Sequence, residues 1–372
     1  MIPLVDLKAN YEACRKEIDE AMARTLGRGD FILGDELKKF EVEFAEYCGT
    51  RTCIGLASGT DALILALKAL GVGPGDEVIT VANTWASTVF AITLVGATPV
   101  FADIDPATYL IRPDEVQKAI TSKTRAILPV HLYGQSADMD ALSAIARENK
   151  LWLIEDAAQA HGATWNGAKR AGSFGHIGCF SFYPGKNLGA YGDGGAVTTS
   201  DPEIARQIRL LRNMGQEQRH HHEIVGTNSR LDSFQAGILR VKLKYLEDGN
   251  EKRRQAALRY RKLLEPLSIR LPFEHGRGLH AYHLFVIEVD ERDRVVEFLN
   301  RNGVGAQVHY PKPVHLQPCY ASLKTRALPT TEKVAGRILS LPIFPEITEA
   351  QQQEVARVLA QALTKSEAVK LS

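Results

Sequence analysis

The sequence predicts an α/β fold: a large domain of strands and crossover helices, followed by a second, smaller unit. Three observations carry this. Between about residues 52 and 200, short apolar runs alternate with longer helical stretches, as strands and crossover helices do in an α/β sheet. At 372 residues the chain exceeds the size at which a single hydrophobic core stops growing. Around residues 235 to 265, an amphipathic stretch running from Gln235-Ala-Gly-Ile-Leu-Arg into the charged Glu251-Lys-Arg-Arg-Gln reads as a long helical bridge between two units. The expected division is a large domain over residues 1–250 and a small C-terminal domain over 251–372.

Each element has its own signal. Asp61 to Leu70 is apolar on nearly every side and reads as a buried helix. Glu77 to Val81 is a strand, Thr84 to Val95 a helix, and Thr98 to Ala102 a strand. A helix starts at Asp114 and runs to Ala119, Ala126 to Val130 returns as a strand, and Met139 to Asn149 is helical. Leu151 to Glu155 is then a central strand whose carboxyl end carries Asp156. In open α/β sheets ligands bind outside the carboxyl ends of the strands, so Asp156 and the segments after Val81 and Val130 are expected to face one crevice. Further on, His283 to Glu288 reads as a strand, Arg292 to Arg301 as a helix, and His309 to Pro318 as a loop rich in Pro and His. Thr348 to Leu363 forms a terminal helix, with fraying expected from Ser366.

Composition narrows the function. Lys and Arg number 45 against 44 Asp and Glu, so the chain lacks the basic field of nucleic-acid or membrane-surface binders, and the expected partner is a small molecule. No apolar run reaches membrane-spanning length, and Met1-Ile-Pro-Leu-Val-Asp-Leu-Lys8 lacks the regions of a secretory signal, so a cytoplasmic location is expected. Cys14, Cys48, Cys53, Cys179 and Cys319 are odd in number and contain no Cys-x-x-Cys pair, which argues against a disulfide framework or a zinc cluster. They read as small buried apolar residues. Adjacent histidines at His220 to His222 do not share a face of a helix or strand, and no metal site is expected.

Chemistry concentrates in Cys179-Phe-Ser-Phe-Tyr-Pro-Gly-Lys186-Asn-Leu-Gly-Ala-Tyr-Gly-Asp-Gly-Gly195, where one lysine sits among glycines just after a short apolar strand. A lysine beside apolar residues loses its proton more easily, and a neutral amine condenses with an aldehyde. The same residues also fit an ordinary turn lysine. They do not form a phosphate loop, because the Gly-x-x-x-x-Gly-Lys-Ser/Thr spacing is missing and Asn187 follows Lys186. Ser58-Gly59-Thr60-Asp61, ahead of the first strong helix, gathers backbone N–H groups, a helix N-terminus and a hydroxyl at one spot, which suits a phosphate but equally a plain N-cap. Glu155-Asp156 is either a salt-bridge element or a functional carboxylate in the crevice.

Taken together, Ser58-Gly59-Thr60, Asn83-Thr84-Trp85, Glu155-Asp156-Ala-Ala-Gln159, Ser181-Phe-Tyr-Pro-Gly-Lys186 and Gly226-Thr-Asn228-Ser-Arg-Leu-Asp232-Ser-Phe-Gln235 resemble, in order and spacing, the pyridoxal-phosphate (PLP)-dependent sugar aminotransferases of the DegT/StrS type. The resemblance extends over nearly the whole chain, including His309-Tyr310-Pro311 and Ser340-Leu-Pro342. It implies a fold type I, aspartate-aminotransferase-like architecture, with a large domain on a mainly parallel mixed sheet and a smaller α+β C-terminal domain, PLP or its amine form PMP as cofactor, a homodimer with shared active sites, and transamination of a nucleotide-linked ketosugar. By position it implies that Lys186 forms the Schiff base with PLP and then shuttles the proton, and that Asp156 pairs with the pyridine nitrogen. Gln159 would bond the ring hydroxyl oxygen and Trp85 would stack on the ring, although a Trp there also fits core packing. The cofactor phosphate would lie on Gly59, Thr60 and Ser181, with Asn228 reaching in from the neighbouring subunit. Tyr183, His309 and Tyr310 match positions that contact the nucleotide-sugar, and the guanidinium of Arg219, in Gln216-Glu-Gln-Arg219-His-His-His222, suits the substrate diphosphate.

Pro184 to Gly195 resembles the version of this segment in enzymes acting on 3-keto sugars, whereas many enzymes aminating carbon 4 read Lys-x-x-x-x-Gly-Glu-Gly-Gly. The expected substrate is a 3-keto-6-deoxyhexose on dTDP with L-glutamate as amino donor. A UDP-linked 3-keto sugar acid and a 4-ketosugar are the alternatives. A non-catalytic regulator of the same fold would lose Lys186 or Asp156, the family's dehydratases carry histidine in place of the lysine, and an NAD-dependent Rossmann enzyme needs a Gly-x-Gly-x-x-Gly that Ser58 to Ala62 lacks.

Overall fold

The computed structural model describes residues 1–167 and 169–370, the last six of these by backbone alone. Two helices not anticipated above, α1 (Leu7–Arg28) and α2 (Asp35–Cys48), precede the sheet. They alternate less cleanly than the later elements, and α1 has a non-helical residue at Cys14. The sheet then follows as β1 (Thr52–Leu56), β2 (Glu77–Thr80), β3 (Thr98–Phe101), β4 (Thr124–Ile127), β5 (Trp152–Asp156), β6 (Ile177–Ser181) and β7 (Gly195–Thr199), in the spatial order β1-β7-β6-β5-β4-β2-β3. Strand β7 runs antiparallel to both its neighbours, and the remaining pairs are parallel. The sheet is therefore the large, mainly parallel mixed sheet expected. The exception has a simple cause: β6 and β7 are joined by an arm over residues 182–194 with no crossover helix, and only an antiparallel partner is reachable that way.

Because the sheet is covered on both faces, neighbouring residues of one strand enter different layers. Val78, Ala126 and Ile154 pack with Leu63 and Leu67 of α3 (Gly59–Ala69), Ile92 of α4 (Ala86–Leu94) and Ile208 of α7, which spans Pro202–Arg212. Ile79, Ile127 and Leu153 pack on the other side with Val116 of α5 (Pro113–Ala119) and Leu142 of α6 (Met139–Glu148). Each such buried aliphatic side chain contributes roughly 1.5–3 kcal/mol.

The long helix expected over residues 235–265 is two helices, α8 (Ser233–Leu243) and α9 (Leu246–Leu264). The break falls at Lys244 and Tyr245, whose side chains both bond Glu17 of α1, the lysine at 2.9 Å. After α9, β8 (Phe285–Glu288) pairs antiparallel with β9 (Ile338–Leu341). The pair packs with α9, α10 (Arg292–Arg301) and α12 (Glu349–Lys370) around Tyr260, Phe285, Leu299, Leu339 and Leu359, while α11 (Pro329–Ala335) lies just ahead of β9. Ile2 also joins this cluster, its N–H donating to the Gly303 carbonyl at 2.7 Å, so the chain's first residues pack with its last helices. The terminal helix continues through the residues expected to fray as far as Lys370, and residues 371–372 lie outside the described residues. Four of the five cysteines are buried as expected; Cys319 is exposed, in the loop after α10. No helix among the described residues is long and apolar enough to cross a membrane.

Candidate active site

The carboxyl ends of β1, β2, β4, β5 and β6 open on one side of the sheet, and the residues expected there converge on that side. Asp156, the last residue of β5, is buried. Its Oδ2 accepts the Thr88 hydroxyl at 2.8 Å, and its Oδ1 accepts the Ala158 N–H at 3.2 Å. Burial raises its pKa, while the Thr88 hydrogen bond and the nearby Lys186 charge act in the opposite sense. The half-buried Lys186 has its pKa lowered to about 8, because burial penalises the ammonium more than Asp156 favours it. Of the two readings the residues allowed, a lowered pKa is what the reactive amine requires.

Glu155 and Asp156 are adjacent on one strand and therefore point to opposite faces. Fully buried Glu155 accepts the N–H groups of Gly172, Phe174 and Gly175, each at 2.7 Å, and faces His131 Nε2 at 2.9 Å. The Ala137 N–H donates to His131 Nδ1 at 3.1 Å, which leaves the ring proton on Nε2, directed at Glu155. Glu155 is thus a buried hydrogen-bond acceptor for the fold rather than a salt-bridge partner, and Asp156 lies on the opposite face of β5.

Three further loops meet around Gln159. Its Oε1 accepts the Tyr133 N–H at 2.7 Å, which turns its Nε2 toward the Tyr310 hydroxyl at 3.0 Å. Tyr133 adopts φ +60°, a left-handed conformation that costs a non-glycine residue roughly 1 kcal/mol, and its hydroxyl donates to the His309 carbonyl. His309 Nδ1 lies 2.8 Å from Ser340 Oγ, and burial together with the Lys186 charge lowers its pKa to about 4. Tyr310 also faces Trp85, ring centroids 5.7 Å apart. Trp85 is 61% exposed, which rules out core packing and leaves its face available.

At the start of α3, Ser58 caps the helix by accepting the Asp61 N–H at 3.1 Å, so the N-cap reading is correct for Ser58 itself. Thr60 is not used in the cap; its hydroxyl donates to Ser87 Oγ at 2.8 Å. A Cβ on Gly59 would come within 2.6 Å of the Ser181 Cβ, so glycine here lets the helix N-terminus and Ser181 close on one spot. The arm that carries Lys186 is tied at its base by the Phe182 N–H to the Gly194 carbonyl, 2.7 Å, and by the Ala190 N–H to the Phe182 carbonyl, 2.8 Å. Farther out, Asn187 Nδ2 donates to Asn250 Oδ1 and the Ala281 carbonyl, both at 2.8 Å, and Lys242 Nζ to the Gly189 carbonyl at 2.6 Å.

The sequence profile of the DegT/DnrJ/EryC1/StrS aminotransferase family matches residues 12–360. The chain belongs to this family. The dTDP-3-amino-3,4,6-trideoxy-alpha-D-glucose transaminase of Streptomyces venezuelae is 47% identical, over 95% of this chain and 94% of that protein. The UDP-N-acetyl-3-dehydro-alpha-D-glucosamine 3-aminotransferase of Acidithiobacillus ferrooxidans is 46% identical, over 97% of this chain and 98% of that protein. The crystal structure of S. venezuelae DesV in complex with a ketimine intermediate superposes with a TM-score of 0.94 at 46% identity, covering 97% of this chain and 98% of that one. This DegT/DnrJ/EryC1/StrS protein is accordingly an aminotransferase of the PLP-dependent type and fold.

Its own residues fit that cofactor. An amine with a lowered pKa, a buried carboxylate with free lone pairs, and a helix N-terminus closed against a serine supply the three contacts that an aldehyde, a ring nitrogen and a phosphate require. Two tests follow. In the aminotransferase stripped of cofactor, Lys186 is expected to react with an amine-labelling reagent at a rate that rises with pH, half-maximal near 8, because only the neutral amine reacts; peptide mass spectrometry reads this. Gly59→Ala is expected to weaken PLP binding at least about fivefold by titration, since overpacking typically costs about 1–3 kcal/mol.

Not every expected residue joins this cluster. Arg219 is exposed at the tip of a hairpin, Gln216–Gln218 with His221–His222, and Asn228 and Tyr183 are exposed as well. Among the described residues no group of three or more His, Cys, Asp or Glu is placed to hold a metal ion. A cavity of about 510 Å³ lined by Arg147, Trp152, Phe174 and His176 lies at the amino end of β5, the edge opposite Asp156, and plays no part in this site. Thr88 and Tyr133 have no place in the sequence reading, and Asn83 stands in its Asn83-Thr84-Trp85 motif without a role of its own. Thr84 and Thr88, one helical turn apart at a helix start after a strand, were the available signal for the first of them.

Proposed function

We propose that this aminotransferase transfers an amino group from L-glutamate to carbon 3 of a nucleotide-linked 3-keto-6-deoxyhexose, the nucleotide being dTDP. The observation that carries the reading is Lys186, an amine poised near neutrality on the same crevice as buried Asp156. The choice of carbon 3 is supported by Pro184 to Gly195 and by the names of both relatives above. A UDP-linked 3-keto sugar is the second reading, favoured by the A. ferrooxidans relative.

Bound PLP supplies an electrophilic aldehyde and an electron sink for the substrate carbon. Lys186 holds or moves the proton at its Nζ, with a pKa close to working pH. Asp156 provides the negative charge that keeps the ring nitrogen protonated. Gln159, held by Tyr133, orients a donor toward the ring hydroxyl. Trp85 covers one ring face, and Gly59, Thr60 and Ser181 receive the phosphate. His309 and Tyr310 line the sugar side, and exposed Tyr183 borders it next to Lys186.

A homodimer completes the site, with Asn228 and Arg219 serving the neighbouring subunit's cofactor and substrate. Support comes from exposed Leu94 and Phe90 on α4, and from Met214 and Val225, the last 96% exposed, beside the Arg219 hairpin. These are apolar surfaces that a second copy would cover. The protein acts in the cytoplasm in this reading.

The test is a screen of dTDP- and UDP-linked 3-keto and 4-keto sugars with glutamate, the position of the new amine read by NMR. Amination at carbon 4 alone would overturn the reading.

A further inference from the structure

The geometry points to Thr88 as a positioning residue that holds Asp156 in its charged, correctly oriented form, with Thr84 as the second member of a one-way hydroxyl relay. The inference rests on the proposed pairing of Asp156 with the cofactor's ring nitrogen. Thr84, Thr88 and Asp156 are all at least nine-tenths buried, at 3%, 1% and 5% exposure. Thr84 Oγ1 lies 2.8 Å from Thr88 Oγ1, which lies 2.8 Å from Asp156 Oδ2.

A hydroxyl has one proton, and an ionised carboxylate only accepts. With Asp156 charged, Thr88 must spend its proton on Oδ2, so Thr84 must donate to Thr88. Two hydroxyl dipoles then point at the carboxylate in a water-poor site, where aligned hydrogen bonds polarise one another. This opposes the burial that favours the neutral acid. A proton on Oδ2 would have to be donated to Thr88, and the relay would reverse. The ring nitrogen is thereby offered an acceptor.

The relay also fixes direction. Thr88 occupies Oδ2 and the Ala158 N–H, at 3.2 Å, engages Oδ1 more weakly, so the carboxylate plane is set before a ligand arrives. Both threonines flank Trp85, the N-cap of α4, and the Thr88 N–H donates to the Trp85 carbonyl at 3.1 Å. One helical turn therefore orients both the residue proposed for the ring's face and the one proposed for its nitrogen.

The experiment loads the enzyme with PLP labelled with nitrogen-15 in the ring and reads the nitrogen's protonation by its chemical shift, beside cofactor affinity by titration. Asp156→Asn, the control, is expected to shift the nitrogen to the neutral form. Thr88→Val, nearly isosteric, is expected to move it part of the way and to weaken PLP binding about tenfold, the least that losing a hydrogen bond to a charged group costs. Thr88→Ser is expected to restore both, and Thr84→Val to move the nitrogen less than Thr88→Val. A Thr88→Val protein with the wild-type shift and affinity, while Asp156→Asn has moved, overturns the relay alone. An Asp156→Asn protein that keeps a protonated nitrogen overturns the relay and the assignment of Asp156 together.

Discussion

Lys186→Ala is expected to lower turnover by at least about 10⁴-fold, the upper range for a positioned acid–base group, since the nucleophile is removed with it. Steady-state assays with ketosugar and glutamate measure the loss, and borohydride treatment followed by mass spectrometry shows whether cofactor is still captured covalently. The variant should fold. Lys186 carries a burial penalty on its charged form, so its folded pKa of about 8 lies below the ordinary 10.5. Between those two values the unfolded chain holds the proton and the folded chain does not, so the penalty is full below about pH 8 and fades as the pH rises toward 10.5. The cofactor-free Lys186→Ala protein should consequently melt no lower than the wild type at pH 7. Retained turnover within about tenfold of wild type would remove Lys186 from the chemistry.

Glu155→Ala is expected to destabilise the fold by about 4–5 kcal/mol or more, enough to deny a soluble protein. The carboxylate satisfies three backbone N–H groups of the Gly172-to-Gly175 turn and the His131 ring; Gly172 and His131 are buried, and Phe174 and Gly175 partly so. Glu155→Gln recovers only part of the loss, because its amide nitrogen must face one pair of those donors. Chemical denaturation of the Gln variant, expected to lose about 2–3 kcal/mol, keeps the idea measurable if the Ala variant is insoluble. Asp156→Asn, one residue along, should leave the denaturation midpoint nearly unchanged. Equal midpoints for all three variants would show that the two acids do not divide their work in this way.

The division between Glu155 and Asp156 marks where sequence reading reached its limit. Period, length and turn residues located the strands from β2 to β5 and β8, because each is a short apolar run between clear breaks. The family motifs singled out Lys186, Asp156, Gln159 and Trp85 because each follows such a run. What stayed hidden depends on contacts between distant segments. Tyr133 matters through φ +60° and a bond to His309, 176 residues away, and no local pattern encodes either. The break at Lys244 and Tyr245 is likewise written in Glu17, more than two hundred residues upstream, so helical periodicity ran straight through it. Trp85 shows the complementary case, where the identity was legible but its exposure was not.

The arm that carries Lys186 leaves on β6 and returns on β7, tied at its base and again at Asn187 and Gly189. A lysine on a free loop brings its nitrogen to a reaction by moving the chain; here the Cα is a pivot. Every station the nitrogen visits lies on an arc whose radius is the length of its own methylene stem. Reactants must be delivered to that arc, and a stem one carbon shorter would fall inside it.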